Sequence, residues 1–408
     1  MAFNLVELSN PFLLKKSWLS VRRGKTEKIA TRSKGIDGVS LFDFGQNLPE
    51  NLSILSEELR LGKYHAQPVK VVLEKKNNGK FRIISVPTIR DRIVQRAMLE
   101  LFKPCLTPVI STGVSYCGAK NDEDESISLK NAIEKVVYHV GQGCFWIFES
   151  DIVSFFDRIP KQALLDKLRD TVPMDIGLTN LLVEYIYFEV GNPEKFVGKE
   201  DISIPVGDVG ITQGSALSPI FANLYLAEFD IALKSLFGDR LIRYVDDFII
   251  MCKTKDEAII AYKFALQELA KVGLDLSPEN KKTFIKNLKA SEVINFLGIS
   301  IQRRGLFPEG GKGAALTHMN DVLNRSSYKK SLIRGTKILD IAYQMEEKIV
   351  AWGNHYRFYH VDQLYKDLDE HIESTTRKMS DVRTLKPLRN IFLFPIISRE
   401  KWHSFFLR

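Results

Sequence analysis

With 408 residues, 45% hydrophobic and 26% charged, the chain can bury a large core and has ordinary globular composition, which excludes a disordered or fibrous protein and suggests two or three folding units. No uninterrupted apolar stretch approaches the roughly 18 to 20 residues of a membrane span, and "MAFNLVELSNPFLLKKSW" lacks the order of a signal peptide, so a cytoplasmic chain with no membrane partner is expected. The net charge of +8 is uneven: residues 1–100 carry +8, 101–300 carry −7 and 301–408 carry +7, basic flanks suited to a polyanion around an acidic middle suited to divalent cations. Cys105, Cys117, Cys144 and Cys252 show no C-x-x-C pairing and no histidine at zinc-finger spacing, and are expected to be reduced core thiols.

In chain order, "PVKVVLEKKNNGKFRIISVP" (68–87) predicts a hairpin, two β-rich runs around an Asn-Asn-Gly turn. "AKNDEDES" (119–126) is an acidic loop. "CFWIFESDIVSFF" (144–156) starts as a buried strand and breaks at Ser150 and Asp151. "VGNPEKFVGKEDISIPVGD" (190–208) is Gly- and Pro-rich and interrupts the pattern. "SPIFANLYLAEFDIALKSLF" (218–237) predicts one helix capped by Ser218, with Pro219 in its first turn. "LIRY" and "FIIMC" predict two strands joined by a tight turn that carries Val245, Asp246 and Asp247. "RRGLFPEGGKGAA" (303–315) reads as a junction, and Ile338, Ile341, Ala342, Met345, Ile349 and Trp352 recur at the spacing of one helix face.

Adjacent acids are common in turns, but here both flanks are apolar, so the turn emerges from a core, where a carboxylate costs several kcal/mol unless a cation or donor compensates it. Asp151 also ends an apolar strand. Were the strands neighbours, three carboxylates would converge on a site for two Mg²⁺ ions, with oxygen ligands throughout. Such a pair activates a hydroxyl and stabilises departing pyrophosphate, the chemistry of nucleotidyl transfer.

"FESDIVSFFDRIP", "GITQGSALSPIFANLYLAEFD", "YVDDFII", "GLDLSPENKKTFI" and "INFLGISI" follow one another in the order and approximate spacing of the palm motifs of reverse transcriptases, and "NGKFRIISVPTIRDRIVQRAM" resembles the fingers motifs that precede them. The resemblance runs from about residue 65 to 300. It continues in "IVAWGNHYRFY", which is similar to the thumb of group II intron-like bacterial enzymes. The implied fold is α+β, a right-hand polymerase: fingers over 1–144 with 160–205 contributing, a palm with an antiparallel sheet over 145–302, and a helical thumb over 303–408. The implied cofactor is a pair of Mg²⁺ ions, with Mn²⁺ as the alternative.

The resemblance makes Asp151 and Asp246 the principal metal ligands, with Asp247 auxiliary and the Ile152 carbonyl a further ligand. Phe156 matches the aromatic that gates the incoming sugar, leaving no room for a 2′-hydroxyl and so favouring dNTPs. Gln213 and Gly214 match the nucleotide-pocket motif. Arg82 and Lys75, with Lys76 and Lys80 as alternatives, correspond to the fingers cations that grip triphosphate. Lys282, with Lys281 as the alternative, matches a lysine proposed to protonate pyrophosphate. Arg90, Arg92 and Gln95 would approach the template backbone, although a surface helix with i,i+4 charges would look the same. Tyr244 and Val245 would underlie the primer terminus, and Phe296, Leu297 and Gly298 match the primer grip.

No H-N-H endonuclease, zinc ribbon or RNase H segment is recognised, and the N-A-x-x-H and V-T-G signatures of retron enzymes are not found. The chain therefore looks most like the stand-alone "unknown group" and defence-associated bacterial enzymes. The resemblance implies an RNA template, a cognate noncoding RNA, an RNA–DNA product duplex and a role in antiphage defence. Alternatives are an RNA-binding maturase-like protein, against which the full set of acids argues, and a template-independent or protein-primed polymerase of the same fold.

Overall fold

The computed structural model describes residues 2–25, 27–75, 81–117, 128–196, 207–279, 281–290, 292–302, 305–323, 348–349, 366–372 and 374. Five helices open the chain: α1 (Leu5–Leu8), α2 (Pro11–Arg22), α3 (Glu27–Arg32), α4 (Leu41–Gln46) and α5 (Leu48–Arg60). The hairpin of β1 (Lys70–Lys75) and β2 (Phe81–Val86) follows, then α6 (Ile89–Ile110), α7 (Leu129–Gly141), β3 (Trp146–Asp151), α8 (Phe155–Arg158), α9 (Lys161–Thr171) and α10 (Ile176–Ile186). Next come α11 (Ser218–Tyr225), α12 (Ala227–Phe237), the hairpin of β4 (Leu241–Tyr244) and β5 (Asp247–Cys252), α13 (Lys255–Lys271) and β6 (Phe284–Asn287). The described elements end with β7 (Ile294–Phe296), β8 (Ile299–Gln302), β9 (Gly305–Pro308) and α14 (Gly311–Val322).

By its contacts the chain divides into two compact units, Met1–Cys144 with Phe148–Ile285, and Phe145–Ile147 with Lys286–Arg408. The candidate chemistry belongs to the first. A four-stranded sheet has the order β4-β5-β3-β6, with β4 and β5, both in the first unit, antiparallel in a register that pairs Tyr244 with Asp247 and leaves Val245 and Asp246 as a two-residue turn. Phe248 through Cys252 are buried at both parities, and α7, α12 and α13 all pack on this hairpin, so it is covered on both faces and its sequence need not alternate. Phe248 anchors the core with edge-on rings, Phe148 at 5.7 Å and Phe229 at 5.6 Å, each pair worth about 0.5–1.5 kcal/mol beyond area burial. The turn carrying the acids thus stands on a rigid, dry base.

β1 and β2 pair antiparallel from Lys70 with Val86 to Lys75 with Phe81; the Asn-Asn-Gly turn between them lies outside the described residues. Part of the Gly/Pro-rich stretch is fastened to β1, where Asn192 accepts from the Val71 amide at 2.7 Å and donates to its carbonyl at 3.0 Å.

Two expectations change. The 218–237 helix breaks at Leu226, giving α11 and α12, and Ser218 does not cap it: Leu217 occupies the N-cap, while the Ser218 hydroxyl is drawn back to donate to the Thr212 carbonyl. The 303–315 stretch contains β9 and the start of α14. In the second unit β7-β8-β9 form an antiparallel sheet in which Phe296 pairs with Ile299, leaving Leu297 and Gly298 as its turn. Most of the helical pattern at 338–352 and the "IVAWGNHYRFY" stretch lie outside the described residues. All four cysteines are free; Cys144 and Cys252 are buried, Cys105 and Cys117 half-buried, and burial pushes the Cys252 thiol up to about 12. Among the described residues no helix is long and apolar enough to cross a membrane.

Candidate active site

The Ile152 amide donates to the Asp246 carbonyl at 3.1 Å, which sets the end of β3 directly beside the β4–β5 turn. Asp151, Asp246 and Asp247, separated by nearly a hundred positions in sequence, therefore share one end of one sheet. Asp151 is buried, 6% exposed, with its Oδ1 accepting from the Ser277 hydroxyl and its Oδ2 paired with the Lys282 ammonium. The segment that supplies both is stitched to β3: the Ser277 amide donates to the Asp151 carbonyl at 2.9 Å, the Val153 amide to the Asp275 carbonyl at 3.0 Å, and Ser150 and Thr283 share a hydroxyl bond of 2.7 Å.

The electrostatics record a surplus of negative charge. Burial, followed by the charges of Asp246, Glu149 and Asp151, pushes the Asp247 carboxyl up to about 7. Asp246 is also raised, first by burial and then by Asp151, while Lys282 and Arg82 pull it down. Burial opposes the charge on Lys282, but its bond to Asp151 and the charges of all three acids raise it overall. Among the described residues no three His, Cys, Asp or Glu side chains form a ready-made metal cluster; Asp151 directs its oxygens to Ser277 and Lys282. The donor set nonetheless fits a divalent cation, because hard carboxylate oxygens crowd where positive charge is short.

Backbone strain marks the same place. Among the described residues the non-glycine residues at positive φ are Ser154 at 45°, Val245 at 63° and Leu297 at 55°, and each lies in one of the sequence motifs. A β-branched residue in this region is an outlier costing about 1–3 kcal/mol, so the surroundings of Val245 must hold it there. The turn at Ser154 buries Phe155 and leaves Phe156 half-buried beside it, ring centroids 5.5 Å apart.

β2 reaches the site through the Gln213–Gly214 loop. The Ser85 amide donates to the Gln213 carbonyl at 2.6 Å, and Gly214, at φ +120°, approaches so closely that a Cβ there would lie 2.3 Å from the Ser85 carbonyl oxygen. Only glycine permits that approach. Three residues before Ser85, Arg82 is exposed on this strand and acts electrostatically on Asp246. The Phe156 carbonyl accepts from the Ile211 amide at 2.8 Å, and the Gln213 amide reaches Asp157 at 3.4 Å, so the segment carrying Phe156 and the loop are joined.

Other predicted residues have protein partners. Gln95 is buried and its carbonyl oxygen accepts from the Ser215 hydroxyl at 3.1 Å and the Ala216 amide at 3.4 Å, holding the same loop. Arg90 pairs with Glu58 and lies over the Tyr64 ring; Arg92 donates to the Pro87 carbonyl and the Ser33 hydroxyl. Tyr244 is half-buried, raised by burial and then by the Cys117 thiol. Phe296 is buried in the second unit, and Gly298 accepts at its carbonyl from the Glu309 amide at 2.9 Å. Lys75 ends β1; Lys76 and Lys80 lie outside the described residues. Sequence reasoning missed Glu149, which stands two positions before Asp151 on β3 and so on the same face, and Ser277, whose only sequence signal is its place before "PENKK".

The sheet thus brings acids from β3 and from the β4–β5 turn to one end, with the β1–β2 hairpin bonded to the Gln213–Gly214 loop beside them. Residues 73–301 match the reverse transcriptase (RNA-dependent DNA polymerase) family, and the chain belongs to it. The chain is 32% identical over 202 residues to Protein YkfC of Escherichia coli K12, covering 48% of this chain and 49% of that protein. It is 29% identical over 182 residues to the group II intron-encoded protein LtrA of Lactococcus lactis, covering 44% of this chain and 28% of that one. Similarity thus spans about half the length of the first relative and under a third of the second. Among solved structures, apo telomerase from Candida tropicalis aligns over 79% of this chain and 59% of its own, with a TM-score of 0.41 and 15% identity.

Proposed function

We propose that this chain is an RNA-directed DNA polymerase that adds dNTPs to a primer on an RNA template. The observation that carries the reading is the Ile152–Asp246 backbone bond, which sets Asp151 beside the paired acids of the turn. Asp151, Asp246 and Asp247, with the Ile152 carbonyl, would hold two Mg²⁺ ions, or Mn²⁺, whose charge favours the attacking 3′-hydroxylate and the departing pyrophosphate. Arg82 provides a forked donor for the triphosphate, and Gly214 lets the loop backbone come close to the nucleotide while Gln213 offers an amide to its sugar. The flat ring of Phe156 offers a 2′-hydroxyl neither space nor a partner. Lys282, charged and already among the acids, is positioned to give a proton to the leaving group once Asp151 takes up other ligands. Tyr244, Val245 and the Phe296–Gly298 turn are assigned to the primer, and Arg90 and Arg92 to the neighbourhood of the template; Gln95 serves by fixing the nucleotide loop.

The template we infer is a cognate noncoding RNA, and the biological setting bacterial antiphage defence, which the likeness to stand-alone bacterial enzymes supports. Purifying the protein with its bound nucleic acid, sequencing that RNA, and supplying labelled dNTPs or NTPs with Mg²⁺ tests the reading. Incorporation of dNTPs that Asp246→Asn abolishes is the expected result. RNA bound without synthesis under any condition would favour a maturase-like binder, and synthesis indifferent to the RNA supplied would favour an untemplated polymerase.

A further inference from the structure

Among the described residues, a fully buried cation stands directly behind the acidic turn. Arg243, on β4 immediately before the turn, has no exposed side-chain surface, and neither in effect does its partner Asp230 on α12. The pair is bidentate, Nε to Oδ1 at 2.6 Å and Nη2 to Oδ2 at 2.5 Å, and Thr112 adds a hydroxyl to Asp230 at 3.0 Å. The remaining nitrogen, Nη1, donates to Asn223 Oδ1 at 3.2 Å and to the Val245 carbonyl at 2.8 Å. A buried ion pair is weak evidence for stability, since apolar side chains of similar volume often replace one at no loss. What they cannot do is donate to Val245.

That carbonyl belongs to the peptide between Val245 and Asp246, the central peptide of the two-residue turn. Val245 has positive φ and Asp246 does not, which is the type II′ pattern. The competing type I′ turn differs chiefly by a flip of this same peptide, and a β-branched residue carries strain that would encourage escape. A flip would swing the Val245 carbonyl off Arg243 and turn Asp246 relative to β3. We propose that Arg243 is a positioning residue that locks the turn against this flip and thereby sets Asp246 toward Asp151, with Asp230 and Asn223 holding the guanidinium in aim.

The proposal rests on the reading of Asp246 as a metal-holding acid for its consequence, but not for its first test. In the metal-free chain, amide exchange at Ile152 reports the bond to the Asp246 carbonyl directly. The double variant R243M/D230L removes the pair without stranding a charge. It is expected to melt within a few degrees of the parent while Ile152 exchanges about tenfold faster or more and the rest of β5 stays protected. By electron paramagnetic resonance without substrate, its Mn²⁺ affinity should fall about tenfold, and primer extension should lose kcat more than KM. Unchanged Ile152 exchange in a folded double variant overturns the proposal. Should that variant not fold, D230N, which keeps the Arg243 donor to Val245, is compared with R243K, whose single nitrogen lacks the planar fork that spans Asp230 and the Val245 carbonyl. Faster Ile152 exchange in R243K alone supports the lock, whereas equal acceleration in both, tracking their melting temperatures, assigns Arg243 to stability only. A parent that synthesises nothing refutes the polymerase reading and leaves the Ile152 result standing.

Discussion

The half-buried Asp247 carboxyl is pushed up to about 7 by desolvation and then by the charges of Asp246, Glu149 and Asp151. An aspartate raised in the folded state contributes stability that is fully present below its unfolded pKa, near 4, and is lost as pH rises through about 7. The metal-free protein should therefore melt at progressively lower temperature across that window, and Asp247→Asn should flatten the profile and raise Tm by a few degrees above pH 7; a parent profile already flat in the absence of divalent ions would refute the crowding. Phe156 makes a second residue-level claim. Phe156→Ala should raise the ratio of NTP to dNTP incorporation by about tenfold or more, measured as competing kcat/KM values, and an unchanged ratio would remove the ring from sugar selection. The acids were readable in the sequence because polar residues inside apolar runs are conspicuous. Ser277 was not, because a serine in a loop looks the same whether it faces water or a carboxylate.

At the scale of elements, the loop carrying Gln213 and Gly214 matters because it welds β2 to the sheet end. Gly214→Ala places a methyl carbon on the Ser85 carbonyl and penalises the φ of +120°, so β2, and Arg82 with it, must draw back. The expected result is a stability loss of about 1–3 kcal/mol in a melting experiment, with a KM for dNTP that rises about tenfold. Parental values for both would show that the contact is dispensable. The hairpins at 68–87 and 241–252 were legible from β-rich runs around turn residues. The division of 218–237 at Leu226 was not, since its apolar pattern continues through the break and no Gly or Pro marks it. Ser218 misled for a physical reason: a hydroxyl beside a helix start caps it only when no stronger geometry claims it, and here the Thr212 carbonyl does.

Across the whole molecule, the charge pattern is the feature that the sequence alone displays. Fifteen positive charges in excess lie in the two flanks, residues 1–100 and 301–408, against seven negative in the middle. A middle region that gathers acids on one sheet end does not favour a phosphate backbone, so on the proposed function RNA affinity is expected from the flanks, largely as released counterions. For single strands the slope of log K against log salt is about −0.7 for each phosphate neutralised. Engaging even five of the flanking cations then predicts a slope near −3.5, a loss of roughly a hundredfold in RNA affinity between 50 and 200 mM KCl. Asp151→Asn with Asp246→Asn should leave that slope nearly untouched while abolishing synthesis, because on the proposed function those acids would hold cations rather than phosphates. A titration of single-stranded RNA by fluorescence anisotropy at several salt concentrations decides it: a flat response would mean that RNA is held by stacking and hydrogen bonds, and that the basic flanks have other work.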